Sequence, residues 1–193
     1  STTTRSPAKV LEAALGDLRE ESGAPGILAL VRDGDRERFG TSGSADLDGT
    51  PIEASTRFRI GSITKTLTAA LVLDAVERGE LELDDTIQSW VPGAVSDGRA
   101  ITIRMLLAHT SGIFNAGDEG DIATDIGRIS DPGLRQEAQE VGARYLAGEA
   151  VIAPAEVLVA VADTHPLYFA PGAGHHYSNV NYQLLAMVLE KAT

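Results

Sequence analysis

The chain has no cysteine, two methionines and one tryptophan, and aromatic residues make up 5% of it. Without cysteine, neither a disulfide framework nor a thiolate zinc site is available, and the compartment is left open by that absence. Basic residues are scarce too. Sixteen Lys and Arg stand against 28 Asp and Glu, for a net charge of −12, and no Lys or Arg block occurs. That balance argues against nucleic acid or an anionic membrane as partner and leaves small substrates. No run approaches the roughly 18 apolar residues of a membrane span. Ser1 to Pro7 carries no charged and apolar leader, so if the protein is secreted or otherwise extracytoplasmic, its signal is expected to have been removed already. What is present, 193 residues with 43% apolar and 23% charged content, is globular and long enough for one good core or two small ones.

The most informative stretch is Arg59-Ile60-Gly61-Ser62-Ile63-Thr64-Lys65-Thr66, which runs into an apolar, helix-forming segment ending at Glu77. Residues i and i+3 share a helix face, so Ser62 and Lys65 are within reach of one hydrogen bond. Serine alone is a poor nucleophile, but an amine taken out of water loses its proton more readily and can then accept the serine proton. Helix capping is the competing explanation, since serine is a favoured N-cap. A capping box, however, wants Glu or Gln where Lys65 stands. A phosphate loop is excluded because it needs glycines where Thr64 and Arg59 stand.

In chain order, Pro7 to Ser22 predicts an amphipathic helix with Val10, Leu11, Ala14, Leu15 and Leu18 on one stripe, stopped by Gly23. Gly26 to Arg32 predicts a strand, and Asp33-Gly34 a two-residue hairpin turn before Asp35 to Gly40. Thr41 to Ser55 reads as a loop. The helix after Ser62 has only Asp74, Glu77 and Arg78 as a polar face, which predicts first turns buried nearly all round, a rigid mount for a nucleophile. A short helix before Pro92-Gly93 follows, then another over Thr102 to Ala108, broken by His109-Thr110-Ser111-Gly112. Asn115 to Ala150 is polar, so its helices are expected on the surface, whereas Ala153 to Ala162 is apolar and helical. Pro171-Gly172-Ala173-Gly174 is a loop, and Asn181 to Lys191 predicts a final amphipathic helix.

His165, His175 and His176 are better explained as loop residues than as metal ligands, because no HExxH-type pairing exists and adjacent histidines point apart. His109 and Ser111 are too close in sequence to face one another as base and nucleophile, and no Gly-x-Ser-x-Gly elbow occurs. Tyr177 and Asn179 project to one side of an extended segment, where a phenol can relay a proton and a carboxamide can hold a substrate amide. Taken alone, that segment is better read as an aromatic anchor and a helix cap.

Together, Arg57-Phe58-Arg59-Ile60-Gly61-Ser62-Ile63-Thr64-Lys65-Thr66, then Leu106-Leu107-Ala108-His109-Thr110-Ser111-Gly112, then Phe169-Ala170-Pro171-Gly172 leading to Tyr177-Ser178-Asn179 and Asn181-Tyr182, closely resemble the penicillin-recognising serine hydrolases. The nearest resemblance is to the secreted D-alanyl-D-alanine carboxypeptidases and the class C β-lactamases and esterases. It implies an α/β protein of the α+β type, β-lactamase/transpeptidase-like, in which helices flank an antiparallel sheet and an all-helical region is inserted. Ser62 would be the acylated nucleophile, Lys65 its activating partner and Tyr177 the proton shuttle, while Asn179 would orient the substrate amide. The Ser62 backbone amide would supply half an oxyanion hole, a donor type worth about 3 kcal/mol when removed. His109 to Gly112 would be a structural turn. No cofactor is required by this chemistry, and the substrate would be a small peptide, a β-lactam or an ester.

The family's third motif, Lys or His followed by Thr or Ser and Gly, is absent from this sequence. Residues 1–60 are therefore expected to form the helix and hairpin of the α/β part, and 61–193 a mostly helical region carrying the nucleophile and the Tyr-Ser-Asn loop. The remaining strands, and with them a complete sheet, are expected from a further segment or a second chain. A catalytically inactive binding homologue is the reading from a different class.

Overall fold

A computed structural model describes residues 6–116, 122–149 and 151–193. The leader reading at residues 1–5, and the part of the polar-stretch reading at 117–121 and 150, lie outside them. The chain packs as two compact units, Ser1–Arg59 and Ile60–Thr193.

In the first unit, helix α1 (Pro7–Ser22) starts on a proline whose fixed φ suits the first helical position, and it ends at Gly23 with φ 67°, whose N–H donates to the Arg19 carbonyl at 3.0 Å. Strands β1 (Gly26–Asp33) and β2 (Arg36–Gly43) pair antiparallel from Gly26 opposite Gly43 to Asp33 opposite Arg36. The turn is therefore Gly34-Asp35, one residue later than the Asp33-Gly34 expected, because Gly34 takes the positive φ, 58°. β2 also runs to Gly43, into the expected loop, since Thr41 and Ser42 pair with Leu28 and Ile27. Leu11 and Leu15 of α1 press on Gly40, where any side chain would meet them. A two-stranded ribbon is narrow, so Val10 and Leu18, expected on the buried stripe, stay over half exposed.

In the second unit, a 3-10 turn (Gly61–Ile63) leads into α2 (Thr64–Glu77). Then follow α3 (Ile87–Trp90), α4 (Ile103–Leu107), α5 (Ile122–Ile126), α6 (Pro132–Leu146), α7 (Ala155–Asp163) and α8 (Asn179–Ala192). Thr102 caps α4 by accepting the Met105 N–H, and Asp131 caps α6 by accepting the Leu134 N–H. The core is built on α8, which packs against α2, α3, α4 and α7. Its Val180, Leu184, Leu185 and Val188 recur at helical spacing and are fully buried.

Three expectations are corrected here. α8 begins at Asn179, two residues earlier than expected. The polar segment after Asn115 does not lie wholly on the surface, because Ile126, Ile129 and Ala138 are in the core. The largest correction concerns the first turns of α2, expected to be buried nearly all round. Only Val72 and Ala75 are buried, while Leu67 and Leu71 are 59% and 58% exposed. Apolar side chains are buried only where neighbours exist, and α2 meets α8 on one side.

Candidate active site

Gly61 takes φ 53°, a conformation that a side chain disfavours, and this bends the chain so that Ser62 stands exposed at the head of α2. One turn on, the half-buried Lys65 donates from Nζ to Ser62 Oγ at 3.2 Å. The same amine donates to Asn179 Oδ1 at 2.7 Å. Tyr177 completes the ring. Its hydroxyl lies 2.8 Å from Ser62 Oγ and donates to Asn179 Oδ1 at 3.0 Å. Either hydroxyl can donate in the Ser62–Tyr177 bond, so a proton has a direct path between the two oxygens. Lys65 Nζ also lies over two aromatic rings, 5.0 Å from the Tyr177 ring centre and 5.7 Å from that of Tyr182.

The structure thus brings together Ser62, Lys65, Tyr177 and Asn179, although more than a hundred residues separate the two pairs. α8 and a turn hold the second pair. Ser178, the N-cap of α8, is extended (φ −140°), which sets Tyr177 and Asn179 on one side. The Asn179 N–H donates to Asn115 Oδ1 at 2.8 Å, and Ser178 Oγ donates to the Phe114 carbonyl at 3.1 Å. The turn His109-Thr110-Ser111-Gly112 is stapled to the same loop, since its carbonyls at His109, Thr110 and Gly112 accept from His176, Gly172 and Tyr168. Gly112, at φ 81°, runs so close to the Phe169 carbonyl that a Cβ would collide with it.

Ser111 is fully buried, donates to Asn181 Oδ1 at 2.6 Å and accepts from the Ile113 N–H at 3.1 Å, so its hydroxyl is committed to the scaffold. His165 lies 2.8 Å from Asp125 and stacks on Phe114, while His175 and His176 stand in the loop before Tyr177. Among the described residues no group of three or more His, Asp or Glu is placed to hold a metal.

Sequence reasoning missed Asn115 and the ring of His109, and it named Asn181-Tyr182 only as part of the resemblance, with no role for either. Asn181 left a signal, a polar residue in register with the buried stripe of Leu184, Leu185 and Val188, where a carboxamide must find partners. The Tyr182 hydroxyl donates to the Leu107 carbonyl at 3.2 Å, and burial, then the neighbouring Tyr177, push its pKa above the usual phenol range. Burial, then His175 and Lys65, hold the His109 imidazole below its usual range.

A cleft of about 450 Å³ opens beside Lys65, lined by Thr64, Thr68, Leu158, Asn179, Tyr182 and Gln183. Another of about 460 Å³, around Arg128, Asp131, Glu156 and Asp163, includes none of the four residues brought together.

The profile of the beta-lactamase family matches residues 11–193. Esterase EstB of Burkholderia gladioli is 32% identical over 184 residues, which are 91% of this chain and 43% of that protein. Penicillin-binding protein 4 of Amycolatopsis lactamdurans is 39% identical over 119 residues, 59% of this chain and 30% of that protein. A crystal structure of a D-stereospecific amidohydrolase from Streptomyces sp. superposes with a TM-score of 0.70 at 36% identity, over 97% of this chain and 50% of that one. The chain spans half or less of the length of each of these relatives.

Proposed function

This chain belongs to the beta-lactamase family, and from that premise we propose that it is a serine acyl-transfer hydrolase acting through a Ser62 ester. The observation that carries the reading is the closed hydrogen-bond ring of Ser62, Lys65, Tyr177 and Asn179. Ser62 Oγ attacks the substrate carbonyl carbon, the C=O pair moves to oxygen, and the hydroxyl proton passes to Lys65 acting as a neutral amine. The tetrahedral species collapses with loss of the amine, which takes its proton from Tyr177. Water then attacks the ester, and Ser62 recovers its proton. Asn179 orients the substrate amide, and the Ser62 N–H stabilises the oxyanion.

The substrate we assign is a peptide ending in D-Ala-D-Ala, the carboxypeptidase reaction on peptidoglycan stem peptides. The resemblance to penicillin-binding protein 4 and to the D-stereospecific amidohydrolase supports it. Such a substrate lies outside the cytoplasm, which fits an exported protein. Short-chain ester hydrolysis is the second reading, favoured by the similarity to EstB. We further infer that the opposite cleft wall and the second oxyanion donor come from a polypeptide segment beyond this sequence, continuous or separate. The missing third motif, the two-stranded sheet and the exposed α2 face support this inference.

Labelling with a fluorescent penicillin, followed by mass mapping, tests the assignment. An adduct on Ser62 that disappears in Ser62→Ala is expected; an adduct that persists in that variant sinks it. Turnover of a D-Ala-D-Ala peptide, nitrocefin and a short-chain ester separates the substrates. Acylation of the 193-residue chain by itself would overturn the need for a completing segment.

A further inference from the structure

We propose that His109 is a positioning residue of this site, a neutral imidazole that accepts at Nδ1 and sets the Tyr177 ring against Ser62 and Lys65. The inference rests on the serine-hydrolase reading for its kinetic consequence, and on hydrogen-bond accounting for the rest.

Two donors converge on His109 Nδ1. The Ser178 backbone N–H lies at 3.3 Å and can only donate. Asn181 Nδ2 lies at 3.0 Å. Because the Ser178 N–H makes Nδ1 an acceptor, the carboxamide of Asn181 meets it with a donor. Its other end agrees, since Asn181 Oδ1 accepts the Ser111 hydroxyl at 2.6 Å while Ser111 Oγ accepts the Ile113 N–H. The amide nitrogen of Asn181 therefore faces His109. Nδ1 must carry a lone pair, and the ring proton sits on Nε2. A second proton, on Nδ1, would face two N–H groups.

The ring is placed as specifically as its nitrogen. Its centre lies 4.6 Å from that of Tyr177 at 34°, and 5.2 Å from that of Tyr182 at 35°. Those are the two rings over which Lys65 sits. The His109 carbonyl accepts the His176 N–H at 3.1 Å, so backbone, Nδ1 and ring all engage the segment from His176 to Tyr182. That segment carries Tyr177 and Asn179.

His109 also takes φ 56°, and among the described residues it is the one non-glycine with a positive φ. Asn takes this conformation more readily than most residues, so a plain turn would be served by a smaller side chain; what histidine adds is the ring and its acceptor. The charged and titratable groups facing it are Lys65 and His175, with Tyr177 and Tyr182. The two potential cations reinforce the neutral form, as does burial.

Two variants of the full-length protein separate the ring from the acceptor. His109→Asn keeps an acceptor and tolerates the positive φ but removes the ring, whereas His109→Phe keeps a ring and removes the acceptor. Each is expected to slow acylation of Ser62 by about 100-fold, the cost of a small misplacement of a reacting group, with the half-saturating probe concentration little changed. In parallel, long-range proton–nitrogen spectra of the wild type are expected to show a neutral His109 bearing its proton on Nε2 at pH 7. The Tyr177 ring resonances are expected to move in His109→Asn while those of the distant Tyr145 stay fixed. An Nδ1-protonated or cationic His109 at pH 7, or Tyr177 resonances unmoved in His109→Asn, overturns the proposal even if a variant fails to fold or the chain proves inactive. Wild-type acylation rates in His109→Asn overturn it as well. Failure of the wild type to acylate, with the Nε2–H tautomer and the Tyr177 shift observed, counts instead against the hydrolase reading.

Discussion

Helices α2 and α8 are both 14 residues long and rich in apolar side chains, yet they are mounted differently. α8 buries Val180, Asn181, Leu184, Leu185 and Val188 completely, whereas α2 buries Val72 and Ala75 and leaves Leu67, Leu71 and Leu73 more than half exposed. One helix is set in a finished core and the other leans on it. Asn179 is held on the finished side, with Tyr177 just ahead of it, and Ser62 and Lys65 on the unfinished one. The lesson is that this chain preorganises the Tyr177–Asn179 half of the candidate site, and the Ser62–Lys65 half only as far as α8 reaches across to it.

The comparison can be broken or sharpened by experiment. The largest effect is expected at the unfinished side's own chemistry. Ser62→Ala should lower acylation by about 10⁶-fold, the scale seen when a serine nucleophile is removed, and rapid labelling kinetics would reveal anything smaller. Next comes packing. Leu184→Ala in α8 should cost about 2–5 kcal/mol of unfolding free energy, while Leu71→Ala in α2 should stay within about 0.5 kcal/mol; equal losses in urea titrations would dissolve the contrast. Asn181→Ala strands the Ser111 hydroxyl and the His109 nitrogen, and should cost about 1–3 kcal/mol, measured the same way.

The smallest expected effect is the pH dependence contributed by His109. Its folded pKa is depressed, so between that value and the ordinary imidazole range the unfolded chain binds the extra proton. Its contribution to stability is complete above the ordinary range and is lost as pH falls through the folded value. Thermal midpoints of the wild type should therefore drop faster than those of His109→Asn on acidification. Parallel curves would show that His109 is not the group responsible.

Much of this was legible beforehand, for physical reasons that differ from element to element. Ser62 and Lys65 were readable because helical spacing turns three residues into one face. Tyr177 and Asn179 were readable because alternation in an extended segment does the same over two. The hairpin was legible from its glycine, within one residue, because only the positive φ decides where the turn falls. Burial of α2 was not legible: periodicity says which side chains seek a neighbour, not whether one is supplied. Nor were Asn115 and Tyr182, whose partners, Asn179 and Leu107, are reached only after the chain has folded back on itself.

That folding back has a temporal side. Ser62 and Tyr177 touch across 115 residues of sequence, so their meeting carries the entropy of closing a long loop and follows the local helices in time. A ribosome presents the nucleophile long before its partners. On the proposed reading the emerging serine is an ordinary hydroxyl, unreactive toward a passing ester or lactam, until α8 and the completing segment have been synthesised and docked. The onset of labelling during synthesis would in this way act as a clock for completion of the site.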